Sequence, residues 1–252
     1  MSLACSHGDP GSLLHLDLQQ LKLLDEADVC RQLSDAEFDH ILRCCDALWL
    51  HDGSPSSPHA ELTSGKCSDG FVDVLRMLRH TNLCSIMAGQ LVSRLYEHLD
   101  GPFDWVIGSD HAGATLSFAV ASRLMAMHDF TEKEVVLGPD GKKIGEKQIW
   151  KRFQIEPDET VLQAEELITT TKTLQAVRAG IRAGTPHLVK FMPVVLTLVH
   201  RSDATTFVEA PIIYVRHYDI KTWEPSDCPL CKEGSKRLKP KQNWAELTGK
   251  RD

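Results

Sequence analysis

Thr160-Val161-Leu162-Gln163-Ala164-Glu165-Glu166-Leu167-Ile168-Thr169-Thr170-Thr171-Lys172-Thr173 is the stretch from which the fold can be read. Its first half is a short apolar run led by the β-formers Val161 and Leu162, which predicts a strand. Two adjacent carboxylates close the run, and a loop of threonines with Lys172 follows. Beyond it Leu174, Val177 and Ile181 recur at spacings of three and four, the apolar stripe of a helix. The order is strand, acidic pair, hydroxyl-rich loop, helix. A loop that opens a helix presents free backbone N–H groups and the positive end of the helix dipole, a setting for phosphate. Carboxylates at a strand end suit sugar hydroxyls, which donate hydrogen bonds, or a Mg²⁺ ion. On residue type alone, Thr169–Thr171 serve equally well as caps of an ordinary helix beside solvated glutamates.

Working outward, Asp104–Gly108 reads as a first central strand, and Ser109–Ala114 turns it into a helix over Thr115–Met127. There Asp110 has the chemistry of a plain helix cap and His111 that of a surface residue. Residues 130–152 are rich in glycine and lysine and read as a hairpin, Glu134–Leu137 turning at Pro139-Asp140-Gly141. Val194–His200 is too continuously apolar to be anything but a central strand, and Ile212–Arg216 is another. Strands alternating with helices predict an α/β fold, a doubly wound and mostly parallel sheet with its ligand at the strand C-termini. Asn82–Leu99 is predicted helical, with Leu83, Met87, Leu91 and Leu95 on its core face.

Ahead of this lie two more helical patterns, Leu13–Val29 and Ser34–Leu50, the second opened by the capping box Ser34…Glu37. The turn-rich segment 51–58 follows them as a linker. The expected division is therefore an N-terminal helical cap with linker at 1–58, an α/β domain at 59–222 and a short tail at 223–252.

A chain of 252 residues can bury a full α/β core, and its 42% hydrophobic content is that of a globular protein. A net charge of −7 argues against a nucleic-acid partner. No run is long enough to span a membrane, and no basic region followed by an apolar core marks a secretion signal. Leu3-Ala4-Cys5 hints at a lipoprotein box, but nothing apolar precedes it. The eight cysteines form no regular framework, so the expected compartment is the cytoplasm with reduced thiols.

The acidic pair, the aliphatics Leu167 and Ile168 and the threonine loop together resemble the phosphoribosyl pyrophosphate (PRPP) motif of type I phosphoribosyltransferases. The resemblance implies that Glu165 and Glu166 hold the ribose, and that Thr169, Thr170, Thr171, Lys172 and Thr173 bind the 5′-phosphate. Gly108, Ser109, Asp110, His111, Ala112 and Gly113 fall on the turn that wraps pyrophosphate in that family. A second stretch, His59–Asp73, reads by itself as a strand pair with a Ser-Gly turn. It is similar to a signature near the start of orotate phosphoribosyltransferases, which implies a base-binding role for Lys66 and Phe71. Mg²⁺, PRPP as co-substrate and a homodimer are implied with it.

The sequence departs from the family at functional positions. Thr171 and Lys172 stand where the family usually has glycine, and Thr63 where many members have a lysine. Gln175 occupies the position of an arginine that pairs with the carboxylate of orotate, and the basic loop expected in 130–152 is only faintly echoed by Thr131-Glu132-Lys133-Glu134. Two readings stay open. One is transfer of phosphoribosyl to a nitrogenous base such as orotate, with pyrophosphate release. The other is a non-catalytic or regulatory protein that binds PRPP or a nucleotide on the same fold.

The tail carries Cys228-Pro229-Leu230-Cys231 among lysines. One Cys-x-x-Cys is half of a zinc site, and its sequence neighbourhood holds no second half. His217 or a dimer mate are the candidates to complete it, and the ligand count weighs against zinc. The lysines around it read as a solvated tail.

Overall fold

A computed structural model describes residues 11–250 of the chain. The hint at Leu3-Ala4-Cys5 lies outside the described residues.

The capping box forms as expected: Ser34 Oγ accepts from the Glu37 backbone N–H, and Glu37 accepts in return from the N–H of Ser34. It opens helix α1 (Asp35–Cys44). The helix does not reach Leu50. Asp46 takes a left-handed φ of 54°, and Leu48–Leu50 leaves as a strand paired antiparallel with Gly70–Val72. Nor is Leu13–Val29 one helix; it breaks into single turns at Leu13–His15, Leu18–Leu21 and Glu26–Asp28. Asp17 and Asp25 cap the second and third of these through their side chains, so short polar residues compete with a continuous helix. Helix α2 (Thr81–Leu95) buries its predicted stripe of Leu83, Met87, Leu91 and Leu95 completely.

The α/β body follows as β1 (Trp105–Ser109), α3 (Ala112–Leu124), β2 (Met127–Leu137), β3 (Lys143–Ile149) and β4 (Thr160–Ile168). It continues with α4 (Lys172–Gly184), β5 (Lys190–His200), β6 (Thr206–Phe207) and β7 (Ala210–His217). The sheet order is β6-β7-β5-β4-β1-β2-β3. The five inner strands are parallel, and the edge strands β6 and β3 pair antiparallel to their neighbours. The doubly wound, mostly parallel sheet expected from the sequence is thus the one observed.

Strand alternation divides the apolar residues between two faces. Val106, Leu162, Ala164, Leu196 and Leu198 join α2 and α3 in the larger buried cluster, which also takes in Leu13, Leu21, Phe38 and Ile41. Trp105, Ile107 and Val161 point the other way, onto Val177 and Ile181 of α4. From β1 the chain crosses by α3 to β2 on one side; from β4 it crosses by α4 to β5 on the other. Winding therefore reverses between β1 and β4, which leaves a crevice at their C-terminal ends.

A second, four-stranded sheet joins Thr222–Trp223, Cys67–Ser68, His59–Glu61 and Arg237–Leu238 in that order. Its hairpin turns at Gly65, whose φ of 83° favours glycine. The tail is therefore not simply solvated: Arg237–Leu238 pairs parallel with His59–Ala60, and Trp244 packs edge-on against Phe71. Among the described residues no helix is long and apolar enough to cross a membrane.

Candidate functional site

A cavity of about 450 Å³ opens where the winding reverses. Its walls hold Ser109 at the end of β1, Asp110 and His111 from the turn after it, Glu165 to Leu167 from the end of β4, and Lys172, Thr173 and Ala176 from the start of α4. The hairpin β2–β3 completes it with Lys133, Glu146, Lys147 and Gln148.

The two glutamates differ because neighbouring strand residues point to opposite faces. Glu165 is buried, not solvated. Its Oε1 accepts from the Ser109 backbone N–H at 2.9 Å, and its Oε2 from Ser109 Oγ at 2.7 Å. Burial first, and then the charge of Glu166, push its carboxyl up to about 8. Glu166 is half-buried, and its carboxyl is also raised, chiefly by burial, with Asp110 and Asp73 adding like charge. Glu165 thus braces the turn after β1, while Glu166 offers acceptors to the cavity.

That turn depends on close approach. A Cβ on Gly108 would lie 2.5 Å from the Gly113 carbonyl oxygen and 2.8 Å from that of Ala164. One on Gly113 would lie 2.6 Å from Glu165 Oε2 and 2.8 Å from Ser109 Oγ. Only glycine lets α3 begin directly over the brace. His111, the residue before α3, has φ 61° and ψ −104° and makes no side-chain cap bond. For a residue with a Cβ this is strained, a cost of order 1–3 kcal/mol that recurs at ligand-binding turns. Asp110 accepts from Gln148 Nε2 at 3.2 Å, and the buried Gln148 Oε1 has no partner among the described residues. We expect Gly113→Ala to displace the Glu165 carboxylate and lower thermal stability by about 1–3 kcal/mol, the cost of orphaning buried donors. Calorimetry checks this; an unchanged unfolding temperature would mean that the turn relaxes freely.

The threonine loop shows no need of glycine in its backbone. Thr171 precedes α4 at φ −79° and ψ 6° without a side-chain cap bond, and no residue from 169 to 173 takes a positive φ. The threonine standing in place of glycine is unstrained. Lys172 and Thr173 line the cavity, whereas Thr169 and Thr170 are exposed and lie beside it. Gln175 is exposed and donates to Thr171 Oγ1 at 3.1 Å, outside the lining.

Lys66 and Phe71 are not among the residues lining this cavity. Lys66 pairs with Glu224 at 2.9 Å, and Phe71 packs with Trp49, Ala60, Leu238 and Leu247. Sequence reasoning read a basic loop in 130–152 but gave no site role to any residue of the hairpin β2–β3, where solvated lysines and a cavity wall look alike. Lys147 pairs with Glu134 at 2.8 Å and Lys133 with Glu146 at 3.5 Å, while Lys172 has no ion-pair partner among the described residues.

Cys228 and Cys231 do come together with other ligands, though not with His217, which packs against His200 and Tyr214. His59 and Cys67 complete a group of four whose ligand atoms lie within 4.8 Å of one another.

Fold and crevice together define a doubly wound α/β protein with its candidate ligand site at the switch point. The chain is 28% identical over 182 residues to the orotate phosphoribosyltransferase of Heliobacterium modesticaldum, covering 72% of this chain and 88% of that one. With the enzyme of the same name from a Thermoanaerobacter species it shares 29% over 182 residues, 72% and 87% of the two chains. No family model matches the chain. Among solved structures, orotate phosphoribosyltransferase from Aeropyrum pernix superposes with a TM-score of 0.48 at 16% identity, over 71% of this chain and 93% of that one. UMP synthase of Leishmania donovani gives 0.49 at 15% identity, over 76% of this chain and 38% of that longer one. In sequence the chain is thus similar to orotate phosphoribosyltransferases over most of their length.

Proposed function

We propose that the cavity binds PRPP and that the protein transfers its phosphoribosyl group to a nitrogenous base. One observation carries the reading: the acidic strand end, the start of α4 and the strained turn before α3 converge on a single cavity at the switch point. In this reading the 5′-phosphate lies at Lys172 and Thr173, where the N-terminus of α4 and one unpaired ammonium favour an anion. Glu166 accepts from the ribose hydroxyls, and Glu165 acts through Ser109 by fixing the turn that meets the pyrophosphate. The C1–O bond to pyrophosphate breaks with its electron pair leaving on oxygen, a C1–N bond forms to the base, and the base gives up its proton. Such a reaction needs positioning and charge stabilisation rather than a covalent catalyst.

The cavity carboxylates of Asp110 and Glu166 form an all-oxygen donor set that fits Mg²⁺ shared with a polyphosphate ligand. When bound, the ion would neutralise charge on the leaving pyrophosphate.

Orotate is the acceptor suggested by the names of the relatives, and the walls of the cavity argue for slow use of it. The lining holds lysines, two of them already paired, and no arginine among the described residues. A carboxylate on the base then lacks bidentate charged donors, each hydrogen bond of which contributes about 1.5–3 kcal/mol. The expected result is calorimetric binding of PRPP with Mg²⁺, and orotate consumption well below the ~10 s⁻¹ typical of enzymes. A screen of other bases for pyrophosphate release then identifies the acceptor. PRPP that fails to bind would overturn the assignment. PRPP that binds with no base turned over would favour a regulatory protein, the second reading that these paired lysines support.

A further inference from the structure

The geometry points to a structural zinc ion held by His59, Cys67, Cys228 and Cys231, which fastens the C-terminal tail to the hairpin at 59–68. This goes beyond the family reading and is independent of what the cavity binds.

Three observations carry it. The first is distance. Cys67 Sγ lies 3.6 Å from Cys231 Sγ, and His59 Nε2 lies 3.3 Å from Cys231 Sγ and 3.7 Å from Cys228 Sγ. Tetrahedral zinc with bonds of about 2.3 Å to sulfur and 2.0–2.1 Å to nitrogen places its ligand atoms about 3.5–3.8 Å apart. These three separations lie within a few tenths of an ångström of those values, and all four ligand atoms lie within 4.8 Å of one another. A disulfide would need the sulfurs near 2.05 Å, much closer than Cys67 and Cys231 are.

The second is the state of the histidine. Ser235 Oγ donates its one proton to the Ser57 carbonyl at 2.6 Å, so towards His59 Nδ1, 2.8 Å away, it acts as acceptor. Nδ1 therefore carries the ring proton and Nε2 is left bare, facing the sulfurs. A histidine that ligates zinc is held this way, its second nitrogen donating to an outer partner that fixes the tautomer. His59, Cys67 and Cys228 are fully buried, and only Cys231 is partly open.

The third is the backbone. Cys228 begins the turn Pro229–Lys232, and the Cys231 backbone N–H points at Cys228 Sγ at 3.5 Å, a donor placed to stabilise a thiolate. His59 and Cys67 come from paired strands of the small sheet, and its other side is the tail strand Arg237–Leu238. Among the described residues the apolar cluster against that sheet is small, Trp49, Ala60, Leu238 and Leu247 with Phe71 and Trp244 packed on it, too few to order four short strands unaided. Closing the long loop from Cys67 to Cys228 with a metal supplies what the cluster lacks.

Binding is a simple exchange: Zn²⁺ takes three thiolates and one neutral imidazole, and three protons leave to solvent. Four protein ligands fill the coordination sphere, so the site is structural and leaves no position for substrate.

The test uses the full chain, purified under reducing conditions without added metal and analysed by elemental mass spectrometry. About one zinc per chain is expected, as for a closed four-ligand site. Cys67→Ser should lower the content tenfold or more, although this residue lies far from the Cys-x-x-Cys in sequence. Cys84→Ser, a buried cysteine outside the group, should retain the metal. Ser235→Ala should weaken zinc binding about ten- to a hundredfold by freeing the His59 ring. Should the cysteine variants fail to fold, the parent protein still decides the matter. Exchange into cobalt(II) should give the intense visible bands of a tetrahedral ion with thiolate charge transfer. A folded parent chain that carries no zinc and gives no such spectrum would overturn the site, as would a disulfide between Cys67 and Cys231 found by mass mapping.

Discussion

Glu166→Ala should weaken PRPP binding about tenfold or more and leave thermal unfolding nearly unchanged, whereas Glu165→Ala should lower the unfolding temperature markedly. The two residues are adjacent, yet the fold gives them different work. Glu166 is half-buried at the cavity and supplies acceptors for ligand hydroxyls; hydrogen bonds to a charged group contribute about 1.5–3 kcal/mol each, or roughly ten- to a hundredfold in affinity. Among the described residues no other side chain or backbone N–H is held by that carboxylate in the way Ser109 is held by Glu165. Truncating Glu165 strands the Ser109 N–H and hydroxyl in a buried site, at about 1–3 kcal/mol for each unsatisfied group. For a chain of this size that is a drop of roughly 2–4 °C per kcal/mol. Titration calorimetry with PRPP and Mg²⁺ reads the first effect and differential scanning calorimetry the second. If Glu166→Ala binds as tightly as the parent, or Glu165→Ala unfolds at the parent's temperature, the division of roles is wrong.

What the sequence disclosed follows from how local each signal is. The strand at 160–168 and the helix after it were legible because apolar period and helix start lie within one stretch, and the resemblance to the PRPP motif rests on the same residues. The turn after β1 was legible as a place but not as a mechanism. That Ser109 is the partner of Glu165, 56 residues away, appears only when parallel pairing sets β1 beside β4. The contribution of Lys133, Lys147 and Gln148 was hidden for a related reason, since an edge hairpin alternates cavity-facing and solvated side chains of the same chemistry. The metal-ligand group shows the limit most sharply. Cys228 and Cys231 announce themselves by spacing, but His59 and Cys67 reach them through a sheet that joins two ends of the chain. Leu13–Val29 failed in the opposite sense: its apolar period was real, and aspartates at the breaks capped single turns instead.

The buried brace also makes stability depend on pH in an unusual direction. Folded Glu165 holds its proton up to about 8, against an ordinary value of 4.5. Between those values the folded state binds the extra proton, so stability must fall as pH rises through this window. At 1.36 kcal/mol per unit the ceiling is about 5 kcal/mol. Two histidines pull the other way. Burial lowers the pKa of both His128 and His200, so their contribution is lost as pH falls and recovers as it rises past their ordinary value. The comparison that isolates the brace is therefore parent against Glu165→Gln. Glutamine keeps the shape, cannot ionise and still offers an oxygen to the Ser109 N–H, while the serine hydroxyl can turn to accept from the new amide. Without ligand, Glu165→Gln should unfold at about the parent's temperature at pH 5 and several degrees above it at pH 8, since 1 kcal/mol shifts the midpoint roughly 2–4 °C. Parallel curves for the two proteins from pH 5 to 8 would mean that Glu165 does not titrate in this window. A gap that opens with rising pH and closes when PRPP and Mg²⁺ are added would tie the charge on the brace to the ligand it positions.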